Sequence, residues 1–230
     1  MMFSGVVLGE DSFEQIKVKA LANDVKAQFA LGARYFFGNG VEKNPKEAVK
    51  WFRKAADQGD SKAQCNLGAS YYYGEGVTQD YTEALKWYRK AADQGDVAAQ
   101  CNLGRSYYYG EGVTKDYAEA LKWYRKAADQ GNAAAQFSLG HSYYTGKGVT
   151  QDYAEALKWY SKAADQGNAT AQFSLGLSYY NGEGVKQDYA EAVSPLKFFL
   201  SYSRITAMVE SCMSAALLKE LILPSLISML

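Results

Sequence analysis

From Asp60 the sequence places Gln64, Leu67, Gly68, Tyr71 and Tyr72 at i, i+3, i+4, i+7 and i+8, the spacing of one helical face. From Asp80 a second stripe runs through Tyr81, Ala84, Leu85, Tyr88, Ala91 and Ala92, with Trp87 on its flank. The pattern predicts a helix A and a helix B joined by Gly74-Glu75-Gly76-Val77. It returns every 36 residues: AQ at 27, 63, 99, 135 and 171; Gly at 32, 68, 104, 140 and 176; Trp at 51, 87, 123 and 159. Four units are complete and a fifth is begun. One helix pair cannot bury its own apolar face, so such a period predicts an all-α solenoid stabilised by stacking of neighbours.

Boundary residues support the same reading. Asp80 with Glu83, and the equivalent pairs at 116/119, 152/155 and 188/191, predict capping boxes in which Glu reaches back to the cap. The first unit reads Asn44-Pro45-Lys46-Glu47, with proline where its missing N–H costs nothing. Gly59, Gly95, Gly131 and Gly167 suit the residue after helix B, and Asp60, Asp96, Asn132 and Asn168 can cap the next helix A.

Composition narrows the class. The 230 residues carry 25 basic and 25 acidic side chains, so no net field draws the chain to nucleic acid or anionic lipid. Cys65, Cys101 and Cys212 are too few for a disulfide framework. Cys65 and Cys101 lie one period apart, where packed helices stand about 8–10 Å apart, and a bridge would need distortion. No positive n-region or long uncharged apolar run suggests export or a membrane span. These signals favour the cytoplasm.

The motif AQ-x2-LG-x2-YYxGxGV followed by D-x2-EA-x2-W-x3-AA-x2-G resembles the Sel-one-like repeat (SLR) family, a relative of the tetratricopeptide repeats, over about residues 20–193. The resemblance implies a right-handed α/α superhelical solenoid and an adaptor role, without enzymatic activity or cofactor. It also implies that helix A lines the concave groove. The expected organisation is a degenerate capping helix in 1–26, repeats in 27–193, and a divergent apolar tail in 194–230. Some SLR proteins carry a cysteine pair in every repeat and bind β-lactams; this chain lacks those pairs, so a β-lactam hydrolase reading gains no support.

Gly74-Glu75-Gly76 follows a helix and lacks the third glycine of a dinucleotide fingerprint, so it reads as a turn, with Val77 entering the core. Tyr71 and Tyr72, with their equivalents, fall on the buried stripe. The third column changes from unit to unit: Phe37, Tyr73, Tyr109, Thr145, Asn181. With it vary the positions at i−7 and i−4: Ala30/Ala33, Asn66/Ala69, Asn102/Arg105, Ser138/His141 and Ser174/Leu177. Amide, guanidinium and aromatic groups suit a protein or peptide partner. Asn66, Tyr73, Asn102, Arg105, Tyr109 and His141 are therefore the candidate contact residues; a merely solvated face and a glycan platform built on Phe37, Tyr73 and Tyr109 are the alternatives. A lone histidine supplies neither a catalytic triad nor a metal site, and His141 reads as a surface residue. Glu83, Lys86 and Lys90 read as a salt-bridged outer face.

The repeat fails at 194, where Pro195 takes the tryptophan column and helix B should break. Ile205, Met208, Val209, Cys212, Met213 and Ala216 then form a fresh apolar stripe. Three readings stand for it: a cap, a self-association or membrane-surface interface, and a divergent coding end.

Overall fold

A computed structural model describes residues 12–188, 191 and 192. The expectations for 194–230, including the break at Pro195, and for the first eleven residues lie outside the described residues. Among the described residues there are ten helices and no strand. The chain divides into two compact units, Met1–Lys115 and Asp116–Leu230. The first holds α1 (Phe13–Leu21), α2 (Val25–Phe37), α3 (Pro45–Asp57), α4 (Ser61–Tyr73), α5 (Tyr81–Asp93) and α6 (Val97–Tyr109); the second holds α7 (Tyr117–Asp129), α8 (Ala133–Thr145), α9 (Tyr153–Asp165) and α10 (Ala169–Asn181). Within each unit every helix packs on its neighbours in sequence. This is the all-α, two-helix-repeat solenoid class that the 36-residue period predicts. The A helices are α2, α4, α6, α8 and α10.

Each A helix starts where Asp24, Asp60, Asp96, Asn132 or Asn168 accepts a backbone N–H three residues on, at 2.7–2.9 Å. Each ends at a left-handed glycine, Gly38, Gly74, Gly110, Gly146 or Gly182, with φ of 70–79°. The second loop glycine has a different task. A Cβ on Gly112 would stand 2.2 Å from the Tyr81 carbonyl oxygen, so the loop can seat on the start of α5 only without a side chain.

The core is filled by ring-into-gap packing. A Cβ on Gly68 would lie 2.7 Å from the Tyr88 ring, and one on Gly140 2.8 Å from the Tyr160 ring; both tyrosines are buried. Phe52 enters the space over Gly32 in the same way. At the start of the chain, Ile16 and Ala20 of α1 join Ala27, Leu31 and Trp51 in one apolar cluster. A buried glutamine ties three helices at Gln28, Gln64 and Gln136. Gln64 donates to the Ala56 carbonyl at 3.1 Å and accepts from Gln94 at 2.8 Å; Gln136 does the same with Ala128 and Gln166.

Two expectations about helix B are corrected. Asp80 does cap α5 through the Glu83 N–H at 2.9 Å, but the Glu83 side chain turns forward. It accepts Trp87 Nε1–H at 3.0 Å and Lys86 Nζ at 3.0 Å, because a buried indole N–H needs an acceptor more than an exposed cap does. The reciprocal capping box occurs instead in α1, between Ser12 and Gln15. Lys90 leaves the expected salt-bridge cluster and lies 4.1 Å above the Trp87 ring, a cation–π contact repeated by Lys126 over Trp123 and Lys162 over Trp159.

Candidate functional site

The varying column ends each A helix. Phe37, Tyr73 and Tyr109 are 65%, 57% and 59% exposed, unusual for large apolar rings on three successive A helices. Each is held in the same pose, edge-on to the ring before it: Phe36 at 5.1 Å, Tyr72 at 4.8 Å and Tyr108 at 5.0 Å between centroids. They are presented rather than loose.

Arg105 joins two A helices of the first unit. Its Nη1 donates to the Tyr73 hydroxyl at 3.2 Å and its guanidinium lies 4.2 Å above the Tyr72 ring. Burial opposes its charge while the Tyr73 hydroxyl and neighbouring phenols favour it, and the net shift is upward. Its Nε and Nη2 are enclosed without a protein acceptor. The structure thus brings Tyr73 and Arg105 together. Asn66 donates back to the Lys62 carbonyl of its own helix at 2.8 Å, and Asn102 is half-buried beside the Cys65 thiol, so both serve the helices first. Tyr109 stands outward.

His141 belongs to the second unit. It is half-buried rather than a plain surface residue, stacked on Phe137 with centroids 6.1 Å apart. Burial first, and the charge of Lys147 second, lower its pKa below the usual imidazole value.

Apart from the buried Tyr108, the inner tyrosines are half-buried, not the buried stripe that periodicity suggests. Tyr71 and Tyr107 receive Nη2–H bonds from Arg53 and Arg89. Tyr72 donates to Glu111 at 2.7 Å and Tyr144 to Glu183 at 2.8 Å. Burial, with those carboxylate bonds, pushes both Tyr72 and Tyr144 up to about 12. A phenol needs such a partner when its ring is packed, which keeps its tip near the surface.

Cys65 and Cys101 are free thiols. Burial pushes them up to about 12 and about 11 respectively, which keeps them protonated and unreactive near neutrality. Among the described residues no cluster of three or more His, Cys, Asp or Glu could hold a metal ion, and no helix is long and apolar enough to cross a membrane.

Periodicity did not disclose one feature. A cavity of about 510 Å³ opens between α1 and α2, lined by Ile16, Lys19, Asp24, Lys26, Ala27, Ala30 and Arg34. Its residues come from two helices with different patterns, so no single stripe marks them. The only signal was the small residue at Ala30, in the varying set.

Helix pairs that repeat and pack in sequence define an α-helical repeat protein. The Sel1 repeat profile matches residues 25–60, 61–96, 97–132, 133–168 and 169–194, and the chain belongs to the Sel1 repeat family. Proteins of this family are generally protein-interaction scaffolds, and their solved relatives are typically non-catalytic. A 48-residue stretch is 49% identical to the secretory immunoglobulin A-binding protein EsiB of Escherichia coli O6:H1, covering 21% of this chain and 10% of that protein. Among solved structures, a protective antigen of uropathogenic Escherichia coli strains with an SLR fold is 46% identical with a TM-score of 0.80, over 84% of this chain and 41% of that one. A Sel1 repeat protein from Oxalobacter formigenes is 41% identical with a TM-score of 0.75, over 82% and 77%. The matched segments thus span a tenth of EsiB and under half of the antigen.

Proposed function

We propose that this chain is a non-enzymatic adaptor whose A-helix face, in the first unit, docks a protein or peptide. The observation that carries the reading is the row of outward rings, Phe37, Tyr73 and Tyr109, each braced edge-on by its neighbour and, at Tyr73, bonded to Arg105 from the next A helix. Rigid aromatics beside an arginine are the side chains that carry most binding energy at protein interfaces. Family membership agrees with a protein partner. The immunoglobulin binding named for EsiB concerns that protein, but secretory immunoglobulin A is a sensible first probe alongside cell extracts.

The test is recovery of partners on immobilised protein, wild type against an Asn102→Ala/Arg105→Ala/Tyr109→Ala variant. The reading expects recovery to fall by about tenfold or more, since each lost anchor costs on the order of 1–2 kcal/mol. Unchanged recovery, with the variant folded by circular dichroism, would sink the proposed face. Exposed rings also suit sugars, and retention on polysaccharide columns that vanishes with Phe37→Ala/Tyr73→Ala would transfer the face to a glycan.

A further inference from the structure

The sequence holds two Asn-Gly pairs, Asn39-Gly40 and Asn181-Gly182. In such a pair the glycine nitrogen, with no side chain to shield it, can attack the side-chain carbonyl of the asparagine before it. Two conditions decide whether it does so in a folded chain. The asparagine must be able to turn its side chain over that nitrogen, and the glycine N–H must not be held by another group. Both asparagines are exposed, so access alone does not separate them. Their backbones do.

Asn181 is the last residue of α10, and the Gly182 N–H is committed to the Ser178 carbonyl at 2.9 Å. Attack there requires the end of the helix to open first. Asn39 lies beyond the end of α2, past the left-handed Gly38. Its own N–H donates to the Arg34 carbonyl at 3.0 Å, whereas the Gly40 N–H makes no hydrogen bond among the described residues. The space around this glycine is also more open than at its counterparts. A Cβ on Gly76, Gly112, Gly148 or Gly184 would stand 2.2–2.6 Å from a backbone atom of the preceding B helix; on Gly40 it would meet, among the described residues, only Arg34 Nη1 at 3.4 Å.

We propose that Asn39-Gly40 is a self-modifying site, at which the folded protein converts Asn39 to aspartate or isoaspartate, while Asn181-Gly182 is held unreactive by the end of its helix. The Gly40 nitrogen loses its proton and bonds to Asn39 Cγ; the Cγ–Nδ2 bond breaks, and the amide leaves with that proton as ammonia. Water then opens the cyclic imide at either carbonyl. One water is consumed and one ammonia released, with no change of oxidation state. The product places a carboxylate two residues beyond Phe37, at the loop position where other units carry Glu75, Glu111 and Glu183. The charge at one end of the row of outward rings therefore changes with the age of the molecule, whether or not that row docks a partner.

The full chain is incubated in mildly alkaline buffer, which favours loss of the proton from the glycine nitrogen, and is digested at increasing times. Mass spectrometry of the two Asn-Gly peptides reads the conversion, and an isoaspartate-specific methyltransferase labels the rearranged product. Asn39 converts roughly tenfold or more faster than Asn181, because only Asn181 must wait for a local opening. In guanidinium chloride, where neither N–H is held, the two rates converge. An Asn39→Gln variant, folded by circular dichroism, loses the fast ammonia release and keeps the slow one. Equal rates in the folded chain, an Asn39 that stays intact, or a difference that persists after unfolding each overturns the proposal.

Discussion

Helices α4 and α6 in the first unit and α8 and α10 in the second match inwardly almost residue for residue. Ala, Gln, Leu, Gly and Ser occupy equivalent inward positions in all four, apart from the Cys/Phe column at Cys65, Cys101, Phe137 and Phe173. Outwardly they part. The first pair shows Lys62, Asn66, Tyr73, Asn102, Arg105 and Tyr109; the second shows Ser138, His141, Thr145, Ser174, Leu177 and Asn181. Inward columns repeat because each joint makes the same packing demand, whereas outward columns are free to differ. The difference separates what builds the solenoid from what a partner would read.

The largest expected effect probes the sameness. Gly112→Ala and Gly148→Ala each place a Cβ within 2.6 Å of backbone atoms, at φ of +73° and +75°, and each should cost about 3 kcal/mol or more. Chemical denaturation of the two variants measures this, and a neutral result at either would show that the two loops are not equivalent. Next comes the difference. Asn102→Ser/Arg105→His/Tyr109→Thr gives the third repeat the outward side chains of the fourth; partner recovery should fall about tenfold, roughly 1.4 kcal/mol, while stability shifts by less than about 1 kcal/mol. A large stability loss would place those residues in the architecture instead. Smaller still, Asp96→Ala in the first unit and Asn168→Ala in the second should each lose about 1 kcal/mol in the same denaturation assay, as N-caps do.

The smallest effect belongs to the second unit. His141 has a lowered pKa in the fold, so on acidification the unfolded chain takes up the proton first. Its contribution is present above the unfolded value near 6.5 and is lost as pH falls below it. Melting temperatures compared between about pH 7 and pH 5 should drop more for the wild type than for His141→Gln. Equal drops would show that the ring does not titrate differently on folding.

Much of the architecture was legible because its signals are local. Asp96 before Val97, Gly110 after Tyr109 and Pro45 at the start of α3 act within a turn or two, and the 36-residue register fixes the rest. What escaped was chosen by distant partners. Glu83 looked like half of a capping box until the Trp87 indole claimed it. Tyr72 looked like core until Glu111, a full period and more away, held its hydroxyl at the edge. Of the candidate residues, the outward rings were readable from their variation, and the Tyr73–Arg105 bond joins two of them. The cavity between α1 and α2 was not readable, because Lys19 and Lys26 fall on helices of unlike pattern.

The glutamine joint carries an evolutionary consequence. Gln64 reaches back to Ala56 and is reached by Gln94, and Gln136 repeats the bonds with Ala128 and Gln166. The couplings at Gln64 and Gln136 are the same, like links of a chain cut to one gauge. Unequal recombination between near-identical coding segments can then remove or insert a whole 36-residue period and still leave matching ends, while a shift of one residue would turn the amide away from its acceptor. Length becomes a heritable variable that costs no redesign, and the outward side chains of each period can be shuffled like cards against different partners.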